Sequence, residues 1–81
     1  MKVRVSFYSY FRDLAGCAET TADLTAGQTV RELFDHLAGR FPKLAPARDR
    51  ALVAVGVEYA ARDQQLVEGD EVSFFPPVQG G

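Results

Sequence analysis

The sequence predicts an α+β domain, a mixed sheet of four to five strands packed on one main helix, and three observations predict it. The segment from Lys2 to Tyr8 alternates, with Val3, Val5 and Phe7 on one face and Arg4 and Ser6 on the other, the pattern of a half-buried strand. One longer segment has helical spacing: Val30, Leu33, Phe34, Leu37 and Phe41 fall at i, i+3, i+4, i+7 and i+11. A last strand from Glu71 to Phe75 follows a tight turn. The resulting order ββαβ(β)β sets one helix against a mixed sheet. Its first and last strands are expected side by side and parallel, because both are apolar enough for the centre.

In chain order, Tyr8 to Gly16 loses the period of the first strand. Phe11 and Leu14, at helical spacing, predict a short turn folded back on the core. A second strand is expected from Glu19 to Leu24, with Thr20, Ala22 and Leu24 sharing a face, ended by Ala26-Gly27-Gln28. Thr29-Val30-Arg31-Glu32 then has the spacing of a capping box. On the polar side of the helix, Arg31–Asp35 and Glu32–His36 are i,i+4 neighbours. Pro42 stops the helix near Phe41, and Lys43 to Arg50, punctuated by Pro46, reads as a loop. Leu52 to Val57 is a near-continuous apolar run, which predicts a strand buried on both sides. Glu58 to Arg62 is expected to be a loop, Gln64 to Val67 a short edge strand, and Glu68-Gly69-Asp70 a tight turn.

With 81 residues, the chain has room for one domain. Hydrophobic content of 47% and charged content of 25% are ordinary for a soluble globular protein. A net charge of −2 argues against nucleic-acid binding, which needs a basic face. Met1-Lys2-Val3-Arg4 leads straight into the alternating strand, and the longest uncharged apolar stretch, Ala51 to Val57, is too short to span a membrane. A single cysteine, Cys17, excludes an internal disulfide. A cytoplasmic protein is expected.

The chain ends in Phe75-Pro76-Pro77-Val78-Gln79-Gly80-Gly81. Pro76 and Pro77 lack N–H groups and stop the last strand, and a Pro-Pro pair favours the stiff polyproline conformation. The expected division is therefore a domain over residues 1–75 and an extended tail over 76–81. From Val78 to Gly81 the tail reaches about 13–14 Å further, at roughly 3.3–3.6 Å per residue. Gly80 and Gly81 carry no Cβ, so backbone and terminal carboxylate fit a slot too narrow for side chains. The reactive group there is the carboxylate of Gly81, ionised at neutral pH with a reference pKa of about 3.3–3.7. A carboxylate must be activated, typically by transfer to the AMP of ATP, before a nucleophile attacks it. The chain has no phosphate-binding loop, so a partner is expected to supply that step. The competing reading of a short Gly-Gly end is ordinary fraying.

The stretch Glu68-Gly69-Asp70-Glu71-Val72-Ser73-Phe74-Phe75-Pro76-Pro77-Val78-Gln79-Gly80-Gly81 resembles the C-terminus of the small, sulfur-carrier subunits of molybdopterin synthase. Tyr10-Phe11-Arg12-Asp13-Leu14-Ala15-Gly16 resembles the same family near its start. The resemblance implies a ubiquitin-like β-grasp fold. It implies that Gly81 is adenylated by a ubiquitin-activating-like adenylyltransferase, which uses ATP. The adenylate then becomes a thiocarboxylate with sulfur from a donor protein, and passes the sulfur to a pterin precursor inside the large subunit of the synthase. Two small and two large subunits are the expected assembly. No cofactor or metal is expected on this chain, and catalytic groups are expected in the large subunit. Gly56 stands where family members carry Asn-Gly or a polar turn, which leaves that turn open. The rival pathways are thiamine synthesis and tRNA thiolation. A rival of another class is a ubiquitin-like non-covalent binding module or a protein modifier.

The tail residues Pro76, Pro77, Val78, Gln79 and Gly80 are expected to contact partners. Phe75 joins them as an anchor: if Phe74 faces the helix, Phe75 faces away, and aromatics are enriched at interface centres. The alternative for Phe75 is a small cluster under Tyr8 to Gly16. Tyr59, in a loop between strands, is a second candidate anchor. Cys17 is either an incidental loop cysteine or a thiol that handles sulfur; nothing cationic flanks it to lower its pKa. His36 stands alone on the polar helix face, and a metal site needs several ligands. Glu68, Asp70 and Glu71 form either a solvated turn or a contact for a basic partner.

Overall fold

The computed structural model describes residues 1–77. Its strands are β1 (Lys2–Phe7), β2 (Glu19–Asp23), β3 (Leu52–Val55), β4 (Glu58–Tyr59) and β5 (Glu71–Phe75), with helices α1 (Tyr10–Ala15) and α2 (Val30–Arg40) and a 3-10 helix over Pro42–Arg50. The strands form one mixed sheet in the order β2-β1-β5-β3-β4. β1 and β5 pair in parallel at the centre, Arg4 opposite Glu71 and Phe7 opposite Phe74, and the other neighbours are antiparallel. This is the β-grasp arrangement that the resemblance implied.

The alternation of β1 and β5 sends Val3, Val5, Phe7, Val72 and Phe74 to one side, where all five are buried. α2 lays Val30, Leu33, Phe34 and Leu37 on them. The Phe34 ring meets Phe74 edge-on at 5.4 Å, and Phe7 meets Phe74 and Phe41 at 6.1 and 6.0 Å, distances at which aromatic pairs add to area burial. α2 starts on the expected capping box: the Glu32 N–H donates to Thr29 Oγ1 at 3.4 Å, and the Thr29 N–H donates to Glu32 Oε1 at 3.1 Å. The expected pairs Arg31–Asp35 and Glu32–His36 are not the ones taken. Asp35 pairs with Arg48 of the 3-10 helix, and Glu32 also accepts from Gln28 Nε2 at 3.3 Å.

Several connections differ from the sequence reading. Lys43 to Arg50 is not a loop: with Pro42 at its first turn, the 3-10 helix buries Leu44 and Ala47 at i,i+3, the repeat of that helix. Gln64 to Val67 is not an edge strand, since only Gln65 makes a bridge, to Thr29. Its groups are spent on the start of α2: Val30 and Arg31 donate to the carbonyls of Gln64 and Arg62 at 3.0 and 2.9 Å, and Leu66 donates to Gln28 at 2.9 Å. The first two satisfy amides that a helix start leaves orphaned. β3 stops at Val55 and is covered on one side, with Val53 buried, Leu52 and Ala54 half-buried on the other face, and Val57 exposed. Gly56, at φ 63, turns the chain back through Gly56-Val57 into β4, so Glu58 and Tyr59 belong to a strand rather than a loop. Glycine at the first central position suits a type II′ hairpin turn.

Tyr8 to Gly16 folds back as expected but as a helix, α1, which buries Phe11 and Ala15 and ends on Gly16 at φ 77. The turn into it is unusual. The Phe11 N–H donates to the Tyr8 carbonyl at 3.0 Å, and Ser9 between them sits at φ 53, ψ −124. That is the first central position of a type II′ turn, normally glycine. Ser9 is the one non-glycine residue with positive φ among the described residues, a conformation that costs on the order of 1–3 kcal/mol.

The Glu32 carboxyl is held below the ordinary glutamate range, first by the Thr29 backbone N–H and then by Gln28. A depressed carboxylate contributes stability that is present above its unfolded pKa, about 4.3 for glutamate, and is lost as pH falls through the lower folded value. Glu32→Gln keeps the reach of the capping box but cannot ionise. Thermal melts across pH should show wild type above Glu32→Gln at neutral pH, the gap closing in acid; a gap constant across pH contradicts a charged cap.

Candidate functional site

Strand alternation gives β5 two chemically different faces. Phe74 is fully buried under α2, and Phe75, one residue on, lies half-buried on the opposite, outer face. There it packs on Tyr59, ring centroids 5.8 Å apart, and not in a cluster under Tyr8 to Gly16. The register explains the meeting. Leu52 lies opposite Phe75, while Ala54 lies opposite Ser73 on one side and Tyr59 on the other. Phe75 and Tyr59 therefore flank β3, and the small side chain of Ala54 leaves room for the rings to approach over it. Leu52, Ala54, Tyr59 and Phe75 make one apolar half of the outer face, with Tyr59 73% exposed.

The other half is polar. Arg4 pairs with Glu71, both well exposed, beside Ser6 and Thr21 in an open groove of about 590 Å³. This groove lies at the Glu71 end of β5, away from Phe75. The acidic turn is occupied within the chain. Glu68 accepts from the Lys2 N–H at 3.0 Å, Asp70 accepts from the Val67 N–H at 2.9 Å, and Glu71 holds Arg4.

The tail leaves the sheet at a defined rung. The Tyr8 N–H donates to the Phe74 carbonyl at 3.0 Å, continuing the parallel ladder one step past β1. In a parallel ladder the next bond runs from residue 76 back to the Tyr8 carbonyl. Pro76 has no N–H to give, and that carbonyl already accepts from Phe11. The ladder ends with no group orphaned. Pro76 is half-buried and Pro77 exposed; Val78, Gln79, Gly80 and Gly81 lie outside the described residues.

The structure thus brings Phe75 and Tyr59 together beside Pro76 and Pro77. Cys17 is elsewhere, its free thiol half-buried against the edge of the core. His36 is exposed on α2. Among the described residues no three His, Cys, Asp or Glu side chains are grouped to hold a metal, and no helix is long and apolar enough to cross a membrane. Sequence reasoning missed Leu52 and Ala54, because a continuous apolar run hides which residues share a face. It also missed Tyr8, 53% exposed, which the alternation of β1 places on the outer side.

Fold and site together define a β-grasp domain whose central strand ends at Phe75-Pro76-Pro77 beside an apolar patch. Known proteins agree. The model of the ThiS family matches residues 5–81. The molybdopterin synthase sulfur carrier subunit of Escherichia coli is 37% identical over 83 residues, covering 98% of this chain and 99% of the relative. Of solved structures, molybdopterin converting factor subunit 1 from Pyrococcus furiosus has a TM-score of 0.88 at 32% identity, covering 96% of this chain and 99% of that one. Small archaeal modifier protein 1 of Haloferax volcanii has a TM-score of 0.87 at 26% identity, covering 95% and 98%. The chain belongs to the ThiS family.

The two phenylalanines of β5's surroundings should separate in a stability measurement. Phe34→Ala removes a buried ring and should cost about 3–5 kcal/mol. Phe75→Ala, on the outer face, should cost much less in the same denaturant titration. Equal losses would assign Phe75 to the core.

Proposed function

We propose that this chain is the sulfur-carrier subunit of a molybdopterin synthase, with the Gly81 carboxylate as the group that carries sulfur. The observation that supports this most is the end of the central strand. β5 stops at Phe75-Pro76-Pro77 beside the Phe75–Tyr59 patch, in a chain similar over nearly its whole length to a sulfur carrier subunit. In this reading residues 1–75 are the body and 76–81 the arm. Phe75 and Tyr59 anchor the large subunit, and Pro76, Pro77, Val78, Gln79 and Gly80 line the path into its active site.

The chemistry follows from the carboxylate. An oxygen of Gly81 attacks the α-phosphorus of ATP on a ubiquitin-activating-like adenylyltransferase, and pyrophosphate leaves. The outer sulfur of a donor protein's persulfide then attacks the acyl carbon, and AMP leaves with the electron pair of the broken C–O bond. A thiol of the donor breaks the S–S bond of the acyl disulfide so formed, leaving a thiocarboxylate on Gly81 and a disulfide on the donor. Inside the large subunit that sulfur passes to a pterin precursor, and water restores the Gly81 carboxylate. ATP belongs to the activating partner, and this chain is a co-substrate with no cofactor of its own. A free thiol and an ATP-dependent step suit a reducing compartment, so we place the chain in the cytoplasm.

Similarity to the Haloferax volcanii modifier supports a second reading, a protein modifier joined to lysines through the same Gly81 adenylate. The two differ in the nucleophile, sulfur against an amine. Either requires Gly81 to be the terminus. Adding one residue after Gly81 should abolish adenylation and sulfur loading in a single-turnover assay while leaving the melt unchanged. Gly80→Ala should slow both steps at least about tenfold, and Gln79→Ala should be mild, because only the glycine meets a close-fitting channel; a flexible tail alone limits the effect of Gly→Ala to about 0.4–1 kcal/mol. Normal loading of the extended chain would end the proposal.

A further inference from the structure

The two edges of the sheet are built differently. β4 closes one side with only Glu58 and Tyr59, and so short an edge strand offers little backbone to pair with. β2 closes the other side with the full run Glu19–Asp23, and has no neighbour beyond it among the described residues. The Phe7 N–H donates to the Ala18 carbonyl, and the Leu24 N–H to the Met1 carbonyl. Antiparallel alternation between these rungs turns the backbone groups of Thr20 and Ala22 toward β1, and those of Glu19, Thr21 and Asp23 outward. The middle outward position is occupied. Arg40, the last residue of α2, donates from Nη1 to the Thr21 carbonyl at 2.7 Å and from Nη2 to Thr20 Oγ1 at 2.8 Å. Its guanidinium also lies 5.1 Å from the centre of the Phe41 ring, which packs edge-on against buried Phe7. An exposed arginine is thereby held in one geometry, at a cost in side-chain freedom.

We propose that Arg40 is a strap that closes the β2 edge against pairing with a second copy of this chain. A guanidinium 2.7 Å from the Thr21 carbonyl stands where the N–H of an added strand would have to be. The strand itself defines the occupant that is kept out. Two copies of β2 meeting antiparallel along the whole strand place Thr21 opposite Thr21, and exchange bonds between their outward N–H and C=O groups. Thr20 and Thr21, β-branched and at the middle of the strand, favour such pairing. Arg40 removes the acceptor at its centre. The same register sets Glu19 opposite Asp23 on both sides of that centre, and like charges directly opposite destabilise a strand pair. The acids therefore disfavour one register, whereas the strap denies the Thr21 carbonyl to every register that needs it.

The test uses the full chain. Arg40→Met keeps a stem to lie on Phe41 and removes the donors, Glu19→Thr with Asp23→Thr removes the acids, and a triple variant carries all of these changes. In sedimentation velocity at matched concentration, wild type and the acid variant should run as monomers. The triple variant should run as a reversible dimer, and Arg40→Met should populate that dimer to a smaller extent. Amide hydrogen exchange locates the contact: in the dimer the Glu19, Thr21 and Asp23 amides should slow by about tenfold, the effect of one ordinary net hydrogen bond. Should the triple variant fold poorly in a thermal melt, Arg40→Met alone decides, through a Thr21 amide that slows with rising concentration when the wild-type amide does not. A folded triple variant that stays monomeric, a dimer whose protected amides lie elsewhere, or a wild type already paired through these amides would overturn the strap. So would an acid variant that dimerises as readily as the triple, since the charges alone would then be guarding the edge.

Discussion

Parallel pairing between the first and last strands joins Arg4–Phe7 to Glu71–Phe74 across almost the whole sequence, and nearly every feature of the molecule follows from it. A parallel pair cannot be closed by a hairpin, so the chain must cross over. The crossover here contains α2, which covers one face of the sheet with Val30, Leu33, Phe34 and Leu37. Placing β5 at the centre also fixes where the C-terminus leaves: beside β1 on one side and β3 on the other. An edge strand would release its tail with one neighbour; a central strand releases it between two, each able to present side chains to it. β3 lies beside the end of β5 through Leu52, opposite Phe75, and the end of β1 through the Tyr8 N–H, which donates to the Phe74 carbonyl.

The outer face reads as a consequence of leaving one side of the sheet without a helix. Its polar half, with the exposed Arg4–Glu71 pair, is an ordinary solvated surface, and an exposed pair of this kind contributes little to stability. Its apolar half is less ordinary. Tyr59 is exposed while packed on Phe75, and an aromatic pair held together at the surface offers area to a partner without needing to be ordered first. In the proposed carrier, the position of this pair next to Pro76 would join docking surface and reactive end in one place.

What the sequence disclosed, and what it hid, divides by how far apart the interacting residues are. The capping box of Thr29 and Glu32 is local, and it forms as read. β1 and β5 were visible because alternation is a property of each strand alone, and their parallel pairing followed from both being apolar. Gln64 to Val67 was misread because its hydrogen bonds go to Gln28, Thr29 and Val30, partners that no local pattern reveals. The 3-10 helix was hidden by Pro46, which looks like a loop signal but sits inside the helix. β4 depends on the Gly56-Val57 reversal bringing Glu58 and Tyr59 back onto β3. Of the site, Phe75 and Tyr59 were each visible as residues, but their contact over Ala54 depends on a register set by three strands. Val78 to Gly81 lie outside the described residues, so the chemistry proposed for Gly81 rests on the sequence and on the family, not on the fold.

The central claim is that the Gly81 carboxylate exchanges an oxygen for sulfur. Mass spectrometry of the intact chain, isolated from its native cell under non-reducing and then reducing conditions, tests this most directly. The account predicts a population heavier by the difference between one sulfur and one oxygen, with fragment ions placing the added mass on Gly81 and nowhere upstream. Finding the chain only as the unmodified carboxylate and as isopeptide conjugates to lysines would contradict it, and would assign the same tail to protein modification.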